Sequence, residues 1–167
     1  MTDGVEWKIE RGDWRTHAEQ SAAARRLLCR LLGEEVAVEH DACGAPFLPQ
    51  HRELYVSISH CRTAVAVAVS NRGPVGIDVE SRRRIGEGLV ERVCSDAEKA
   101  EVRASADPTM AFLRLWTRKE AALKLRGTGI RGFSSMVNAL ASNDITTEEL
   151  PCTIADTVAS LAVANDE

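Results

Sequence analysis

The sequence has no long hydrophobic run. No stretch approaches the roughly eighteen consecutive apolar residues that mark a membrane-spanning helix. The segment from Met1 to Glu10 carries three acidic residues and no apolar stretch, so it does not resemble a secretory signal peptide. These two absences predict a cytoplasmic protein that does not associate with membranes.

Paired cysteines are absent as well. The five cysteines form no Cys-x-x-Cys pair and are widely spaced, at positions 29, 43, 61, 94 and 152. An odd and scattered set argues against both a disulfide framework and a structural zinc site. We therefore expect reduced thiols.

Two common catalytic patterns are also missing. The chain contains no G-x-x-x-x-G-K-[ST] phosphate-binding loop and no G-x-S-x-G nucleophile motif. A Ser-His-Cys sequence does occur at Ser59 to Cys61, but no acidic residue stands near it in a hydrolase pattern. A serine or cysteine hydrolase is therefore disfavoured, and His60 is expected either to hold a phosphate or to cap a turn.

What is present is an ordinary globular composition with unevenly placed charge. The 167 residues are 44% apolar and 28% charged, which suits one domain or two small fused halves. The net charge is −4, yet basic residues cluster at Arg82–Arg84 and at positions 114, 118, 119, 124 and 126. Local basic patches on an acidic chain fit a small anionic ligand better than nucleic acid.

Hydrophobic periodicity and turn signals predict a mixture of helices and strands. Helices are expected at residues 21–32, 95–104 and 109–125, and the second starts at a Ser95-Asp96-Ala97-Glu98 capping box. The third should end at Gly127-Thr128-Gly129. Strands are expected at residues 54–59, 63–70, 75–80 and 157–164.

Two of these strands resemble each other. TAVAVAVSN at residues 63–71 aligns without gaps with TVASLAVAN at residues 157–165, and a helix lies upstream of each. Strands rich in alanine and valine often look alike, so chance is one explanation. The other explanation is a duplicated αβ unit folded about a pseudo-twofold axis, with a ligand cleft between its halves.

Two carboxylates lie in the strand predicted at residues 75–80. Asp78 and Glu80 are two residues apart, which places both on one face of a strand. At about 4 Å such charges repel by about 4 kcal/mol at an effective dielectric constant of about 20, so a partly buried pair needs a cation or a proton. Oxygen ligands favour magnesium or calcium. Two solvated acids on an exposed strand are the alternative.

A stripe of three side chains marks the helix predicted at residues 109–125. Trp116, Glu120 and Lys124 are spaced by four residues and share one helical face. A carboxylate and an ammonium group therefore lie side by side. They form either part of a site or an ordinary surface ion pair worth about 0.3–0.5 kcal/mol.

These patterns follow one another in a fixed order: Ser59-His60, then Gly76-Ile77-Asp78-Val79-Glu80, then W-T-R-K-E-A-A-L-K-L-R-G-T-G at residues 116–129. In this order they resemble the 4'-phosphopantetheinyl transferase superfamily, whose signature combines G-[IV]-D-[IV]-E with W-x-x-K-E-A-x-x-K. The resemblance spans roughly residues 57–129. It is closer to the surfactin-synthetase-activating type, which has two halves in one chain, than to the small trimeric type.

The resemblance implies an α+β fold of two similar halves, residues 1–77 and 78–167. Each half is expected to be a small antiparallel sheet packed on a long helix. The halves would be related by a pseudo-twofold axis, with the active site at their junction, in a monomer. Because the chain is shorter than typical two-half members at both termini, an outer strand is expected to be missing.

The resemblance also implies an activity, the transfer of 4'-phosphopantetheine from coenzyme A to a serine of an apo acyl or peptidyl carrier protein. The other product would be 3',5'-ADP. Asp78, Glu80 and Glu120 would hold Mg²⁺ against the pyrophosphate. The implied catalytic residues are Glu120 as general base, Lys124 as the group that stabilises the transferring phosphate, and His60.

Further ligand contacts are implied for Ser59, His60, Lys119 and Lys124, and ahead of the first helix for Arg15 and His17. Many relatives carry Gly-Lys-Pro before the Ser-His strand, where this chain has Gly44-Ala45-Pro46, so the contacts of the 3'-phosphate stay open. The carrier protein would dock near residues 82–94. Arg82–Arg84 would suit an acidic carrier, unless this run is a solvated turn.

Two other functions would use the same residues. A different magnesium-dependent nucleotide phosphotransferase or phosphohydrolase would need the same three acids. A non-catalytic module would bind coenzyme A or a carrier protein without turnover. Such a module has no physical reason to keep three mutually repelling acids together, which argues against it.

Overall fold

Two small antiparallel sheets, each packed against a long helix, build the core of the protein. The computed structural model describes residues 4–86, 88–128 and 133–165. In spatial order the first sheet contains β1 (Val5–Arg11), β5 (Ala64–Ser70) and β4 (Tyr55–His60). The second contains β6 (Val75–Ser81), β8 (Thr157–Ala164) and β7 (Ile145–Glu149). Helix α1 (His17–Leu32) packs on the first sheet and α4 (Pro108–Leu125) on the second.

Short elements connect these layers. A hairpin of β2 (Glu39–His40) and β3 (Pro46–Phe47) precedes β4. Helices α2 (Leu89–Val93) and α3 (Asp96–Ala104) lie between β6 and α4, and α5 (Phe133–Val137) follows α4. All five cysteines are free thiols, as predicted. Within the described part of the chain, no helix has the length and apolar character needed to cross a membrane.

The α+β class is confirmed, and each predicted helix and strand is present with slightly different ends. The largest difference is at α1, which begins at His17 rather than Ser21. The cause is a capping box in which Thr16 Oγ1 accepts from the Glu19 N–H and the Glu19 carboxylate accepts from the Thr16 N–H. The Thr-x-x-Glu spacing was readable in the sequence and the prediction missed it.

The other helix ends follow their predicted signals. Ser95 and Glu98 form the predicted capping box at the start of α3. Asp107 caps the N-terminus of α4. Gly127 has a φ of 63°, a left-handed conformation that suits glycine after a helix. Gly129, the last residue of the predicted stop signal, lies outside the described residues.

Strand β5 is buried on both faces, and its alternating sequence separates the two. The valine face packs on α1 and consists of Val65, Val67 and Val69. The alanine face meets β6 and β8 and consists of Ala64, Ala66 and Ala68. Because alanine side chains are short, they allow the second sheet to lie close to the first.

The gapless alignment of the two similar strands is wrong in register. It equates Ala64 with Val158, but Ala64 lies between the sheets whereas Val158 packs with Phe112 of α4. It also equates Val65, which packs on α1, with Ala159, which lies between the sheets. Since side chains alternate between the faces of a strand, the corresponding positions must be shifted by one residue.

Candidate active site

The two sheets meet where β4 lies beside β6, and serine side chains join the two strands. The backbone N–H of Ile77 donates to Ser57 Oγ at 3.0 Å, and that of Val79 donates to Ser59 Oγ at 3.2 Å. Ser59 Oγ in turn donates to Asp78 Oδ1 at 2.8 Å. The predicted Ser-His strand and the predicted acidic strand are therefore neighbours.

Gly76 explains why α4 lies directly on β6. A Cβ atom at this position would stand 1.9 Å from the backbone oxygen of Ala121 and 2.8 Å from the nitrogen of Leu125. Both are backbone atoms that cannot rotate away, so only glycine permits this approach. The contact places the α4 face that carries Glu120 and Lys124 beside Asp78.

Lys124 is anchored to both strands of the junction. Its Nζ donates to Asp78 Oδ1 at 2.8 Å, to the backbone oxygen of Ile77 at 3.1 Å and to that of Ile58 at 3.4 Å. An ammonium group has three N–H donors, so each is used. Among the described residues Lys124 forms an ion pair with Asp78 and none with Glu120. The alternative of an ordinary surface ion pair between Glu120 and Lys124 is therefore wrong.

Asp78 is buried and only half satisfied. Its side chain is 8% exposed, and Oδ1 accepts from both Ser59 and Lys124. Oδ2 is buried and has no hydrogen-bond partner in the described part of the chain. A buried carboxylate oxygen without a partner costs free energy, so this oxygen is suited to a cation that the protein atoms do not supply.

Glu120 lies in an environment that disfavours its charge. Partial burial, followed by the negative charges of Asp78 and Glu80, raises the pKa of Glu120 to about 7, although Lys124 acts in the opposite direction. The three predicted acids are therefore electrostatic neighbours. This agrees with the proposal that the strand acids and the helix acid serve one site.

Glu80 has a counter-ion of its own. Arg83 donates from Nε to Glu80 Oε2 at 3.3 Å and from Nη2 to Oε1 at 3.4 Å. The guanidinium group of Arg83 lies 5.9 Å from the centre of the ring of Trp116, a residue of α4 that packs against the core. The pair is partly exposed, so its net contribution to stability is small.

The carboxylates of Asp78, Glu80 and Glu120 suit a hard divalent cation, although they are not arranged closely enough to coordinate one ion together. Among residues 4–86, 88–128 and 133–165, no three His, Cys, Asp or Glu side chains are grouped closely enough to hold a metal ion. The partnerless Asp78 Oδ2 and the raised pKa of Glu120 both indicate uncompensated negative charge. Carboxylate oxygens are the ligands that Mg²⁺ prefers, so the chemistry of these residues fits this ion.

A cavity of about 680 Å³ opens beside this junction. Its walls come from α1, the β2–β3 hairpin and β4, and Lys124 and Gly127 also line it. Five basic side chains are among its described lining residues: His17, Arg25, His40, His60 and Lys124. No acidic side chain is among the described lining residues, so the cavity favours an anionic ligand.

His17 and His60 meet in this cavity. Their rings form an edge-to-face pair with centroids 4.8 Å apart. Burial, and then the nearby His17 and Lys124, lower the pKa of His60. His60 is therefore mainly neutral near pH 7 and offers one donor and one acceptor, which fits a residue that orients a phosphate by hydrogen bonding.

The structure corrects the ligand contact expected for Lys119. Its side chain is completely buried, and Nζ donates to the backbone oxygen of Val93 and to Glu98 Oε2, both at 2.7 Å. Lys119 therefore ties α4 to the end of α2 and the start of α3. Neighbouring positions on a helix point about 100° apart, so Lys119 cannot share the face of Glu120.

Arg15, expected to contact the ligand, and Arg82, expected near the carrier-docking surface, are both engaged within the protein. Arg15 is exposed and is not among the described lining residues; its backbone N–H is held by Glu19. Arg82 is bound to Asp107 and Asp156, which occupy the guanidinium group that was expected to suit an acidic carrier. Conversely, Arg25 and His40 line the cavity without having been predicted. For Arg25 a signal existed, because it lies two helical turns after His17 on the same face.

The junction lies within the part of the chain that matches a known protein family. Residues 74–160, more than half of the chain, match the model of the 4'-phosphopantetheinyl transferase superfamily. The chain belongs to this superfamily. The matched region contains the three acids and Lys124, whereas the cavity residues His17 and His60 precede it.

Curated members of the superfamily support the same assignment. The chain is 35% identical over 109 residues to the 4'-phosphopantetheinyl transferase AcpT of Salmonella typhi, covering 63% of this chain and 57% of that protein. It is 34% identical over 121 residues to the transferase psf-1 of Bacillus pumilus, covering 71% and 52%. For the transferase Sfp of Bacillus subtilis the identity is 30% over 89 residues, covering 52% and 39%. The chain thus spans about half the length of the curated relatives it matches.

Proposed function

We propose that the protein transfers the 4'-phosphopantetheine group of coenzyme A to a serine of an apo acyl or peptidyl carrier protein, with release of 3',5'-ADP. One observation carries the proposal: a cavity lined by basic side chains opens beside the Asp78–Lys124–Glu120 junction. A nucleotide bound in the cavity would place its pyrophosphate next to these three residues. Membership of the superfamily supports the same reaction.

The basic side chains would bind and orient coenzyme A. His60 and His17 line the cavity near Lys124, so they are suited to bind phosphate oxygens beside it. Lys124 already holds Asp78, and its longest bond, 3.4 Å to the Ile58 oxygen, is the one that a phosphate oxygen would most readily replace. Its charge would then stabilise the transferring phosphate.

Asp78, Glu80 and Glu120 would hold Mg²⁺. When bound, the ion would neutralise charge on the pyrophosphate and assist departure of 3',5'-ADP. Asp78 offers Oδ2, which has no protein partner in the described residues, while Ser59 and Lys124 fix Oδ1. Glu80 would have to exchange part of its contact with Arg83.

Glu120 is also the residue best placed to take the proton of the carrier serine. Its pKa of about 7 is close to physiological pH, which is the range in which a general base is most effective. Partial burial beside Asp78 keeps it at the junction rather than in solvent. The hydroxyl would reach it directly or through one water molecule.

A duplicated architecture would account for the fold. The two sheets have the same strand order around their long helices. In each sheet the strand before the helix (β1 or β6) and the first sheet strand after it (β4 or β7) form the edges, and the last strand (β5 or β8) lies between them. Thr63 and Thr157, which lie near the starts of the two central strands, contact each other, as residues close to a pseudo-twofold axis would. The boundary expected between residues 77 and 78 would fall inside β6, so we place it in the turn at residues 71–74. Because one chain supplies both sides of the site, we expect a monomer.

Mass spectrometry of carrier proteins tests the proposed function. Apo acyl and peptidyl carrier proteins are incubated with the protein, coenzyme A and Mg²⁺, and at least one is expected to gain the mass of one phosphopantetheine group. Substitution of the acceptor serine by alanine should prevent this gain. Hydrolysis of coenzyme A with unmodified carriers would indicate a phosphohydrolase. Binding of coenzyme A without either product would indicate a non-catalytic module.

The stability of the metal-free protein should depend on pH through Glu120. Its pKa rises from 4.5 to about 7 on folding, so between these values the native state keeps a proton that the unfolded state releases. This contribution to stability is complete below pH 4.5 and is lost as the pH rises through about 7. In EDTA, as the pH rises from 4.5 to about 7, the melting temperature should therefore fall more steeply for the wild type than for Glu120→Gln. Equal pH profiles for the two proteins would contradict the prediction.

A further inference from the structure

The Ser59 hydroxyl is fully used inside the protein. Its single proton is donated to Asp78 Oδ1 at 2.8 Å, and its oxygen accepts from the backbone N–H of Val79 at 3.2 Å. The residue is buried, with 6% of its surface exposed, and it is not among the described residues that line the cavity. A hydroxyl has only one proton to donate, so Ser59 has none left for a phosphate oxygen.

This hydrogen bond acts on the orientation of the Asp78 carboxylate. Ser59 approaches Oδ1 from β4 and Lys124 approaches the same oxygen from α4. Two donors on one oxygen fix the rotation of the carboxylate and leave Oδ2 without a hydrogen-bond partner in the described residues. A carboxylate held in this way presents one chosen oxygen to a cation.

We infer that Ser59 is a positioning residue for the cation site and not a phosphate ligand, so that its hydroxyl sets the affinity for the divalent ion by holding Asp78. The inference rests on the proposed function only in taking Asp78 as an ion ligand. It replaces the phosphate contact that the Ser-His resemblance implies for Ser59. Residues that orient a metal ligand by hydrogen bonding typically contribute tenfold to a hundredfold to metal affinity.

Ser57 provides a matched control on the same strand. Its hydroxyl accepts from the backbone N–H of Ile77 at 3.0 Å, as Ser59 does from Val79, but no hydrogen bond joins it to Asp78 in the described residues. Both serines are buried and both support β6 from β4. Ser57 also lines the cavity, which Ser59 does not, so the comparison of Ser59→Ala with Ser57→Ala tests the bond to Asp78 when Mn²⁺ is added without a nucleotide.

The test uses Mn²⁺ alone as a spectroscopic substitute for Mg²⁺, titrated into the 167-residue chain and followed by electron paramagnetic resonance. Ser59→Ala is expected to weaken Mn²⁺ binding by tenfold to a hundredfold. Ser57→Ala should change it by less than about threefold, and Ser59→Thr, which keeps a hydroxyl, should restore most of the affinity. In EDTA, calorimetric binding of 3',5'-ADP should be unchanged by Ser59→Ala.

The opposite pattern would overturn the inference. If Ser59 binds phosphate, Ser59→Ala will weaken binding of 3',5'-ADP in EDTA and leave Mn²⁺ affinity intact. Failure of the wild type to bind Mn²⁺ also overturns it. If Ser59→Ala does not fold, Ser59→Cys serves instead, because a thiol of similar size is a poor donor and should weaken Mn²⁺ binding similarly. Mn²⁺ results as expected, with no carrier modified, would refute the proposed function and leave this inference standing.

Discussion

Replacing Glu120 with glutamine is expected to slow phosphopantetheine transfer about a thousandfold while the protein stays folded. Glutamine keeps the size of the side chain but can neither accept the serine proton nor supply a charged oxygen to the ion. The substitution also removes the repulsion from Asp78 and Glu80 that raises the pKa of Glu120. In EDTA at about pH 8 the variant should therefore melt at a higher temperature than the wild type.

The rate is measured as the mass gain of the carrier protein per unit time under saturating Mg²⁺. Glu101→Gln is the matched control, because Glu101 is an exposed glutamate on α3, away from the junction. It should retain wild-type activity. If Glu120→Gln is as active as this control, Glu120 is an ordinary surface residue and its proposed role is wrong.

Replacing Gly76 with alanine is expected to damage both stability and transfer. The new Cβ would stand 1.9 Å from the Ala121 oxygen, so α4 must move away from β6. Overpacking of this kind typically costs about 1–3 kcal/mol of stability. A displacement of about 1 Å between Lys124 on α4 and Asp78 on β6 would lower the rate by about a hundredfold.

Thermal unfolding and the transfer rate measure these two effects separately. Gly73→Ala is the control, because a Cβ at Gly73 meets no atom within 4 Å and its φ is not in the left-handed region. It should melt and react like the wild type. A Gly76→Ala protein with wild-type melting temperature and rate would show that α4 does not depend on close contact with β6.

The sequence was most informative where the residue spacing of a strand or helix determines which side chains share one face of that element. Asp78 and Glu80 are two apart on a strand, and Glu120 and Lys124 are four apart on a helix. These local rules identified the groups of the junction. The same rules place Lys119 on a different face of the helix from Glu120, and the ligand contact expected for Lys119 from the resemblance does not fit the structure.

Predictions from the sequence failed where distant packing decides the outcome. The edge strand β7 was missed because its sequence, ITTEE, has little of the apolar character that marks a buried strand. The edge strand β1 did carry a local signal, since Val5, Trp7 and Ile9 alternate with charged residues and pack on the core, and the prediction overlooked it. The alignment of β5 with β8 was shifted because alanine and valine, which lie on separate faces of β5, occur on both faces of β8. Only the sheets packed against them distinguish one face from the other.

By itself the sequence determined the superfamily and indicated the candidate groups of the junction, because helix and strand periods act over a few residues and can be read from spacing. Only the tertiary structure decided which hydrogen-bond donors remain free. Ser59, Asp78 and Lys124 come from three separate elements, and their mutual bonds form only when β4, β6 and α4 pack together. A hydrogen-bond donor that is used in such a bond cannot also bind a ligand, and the spacing of residues along the chain does not show which donors are used in this way.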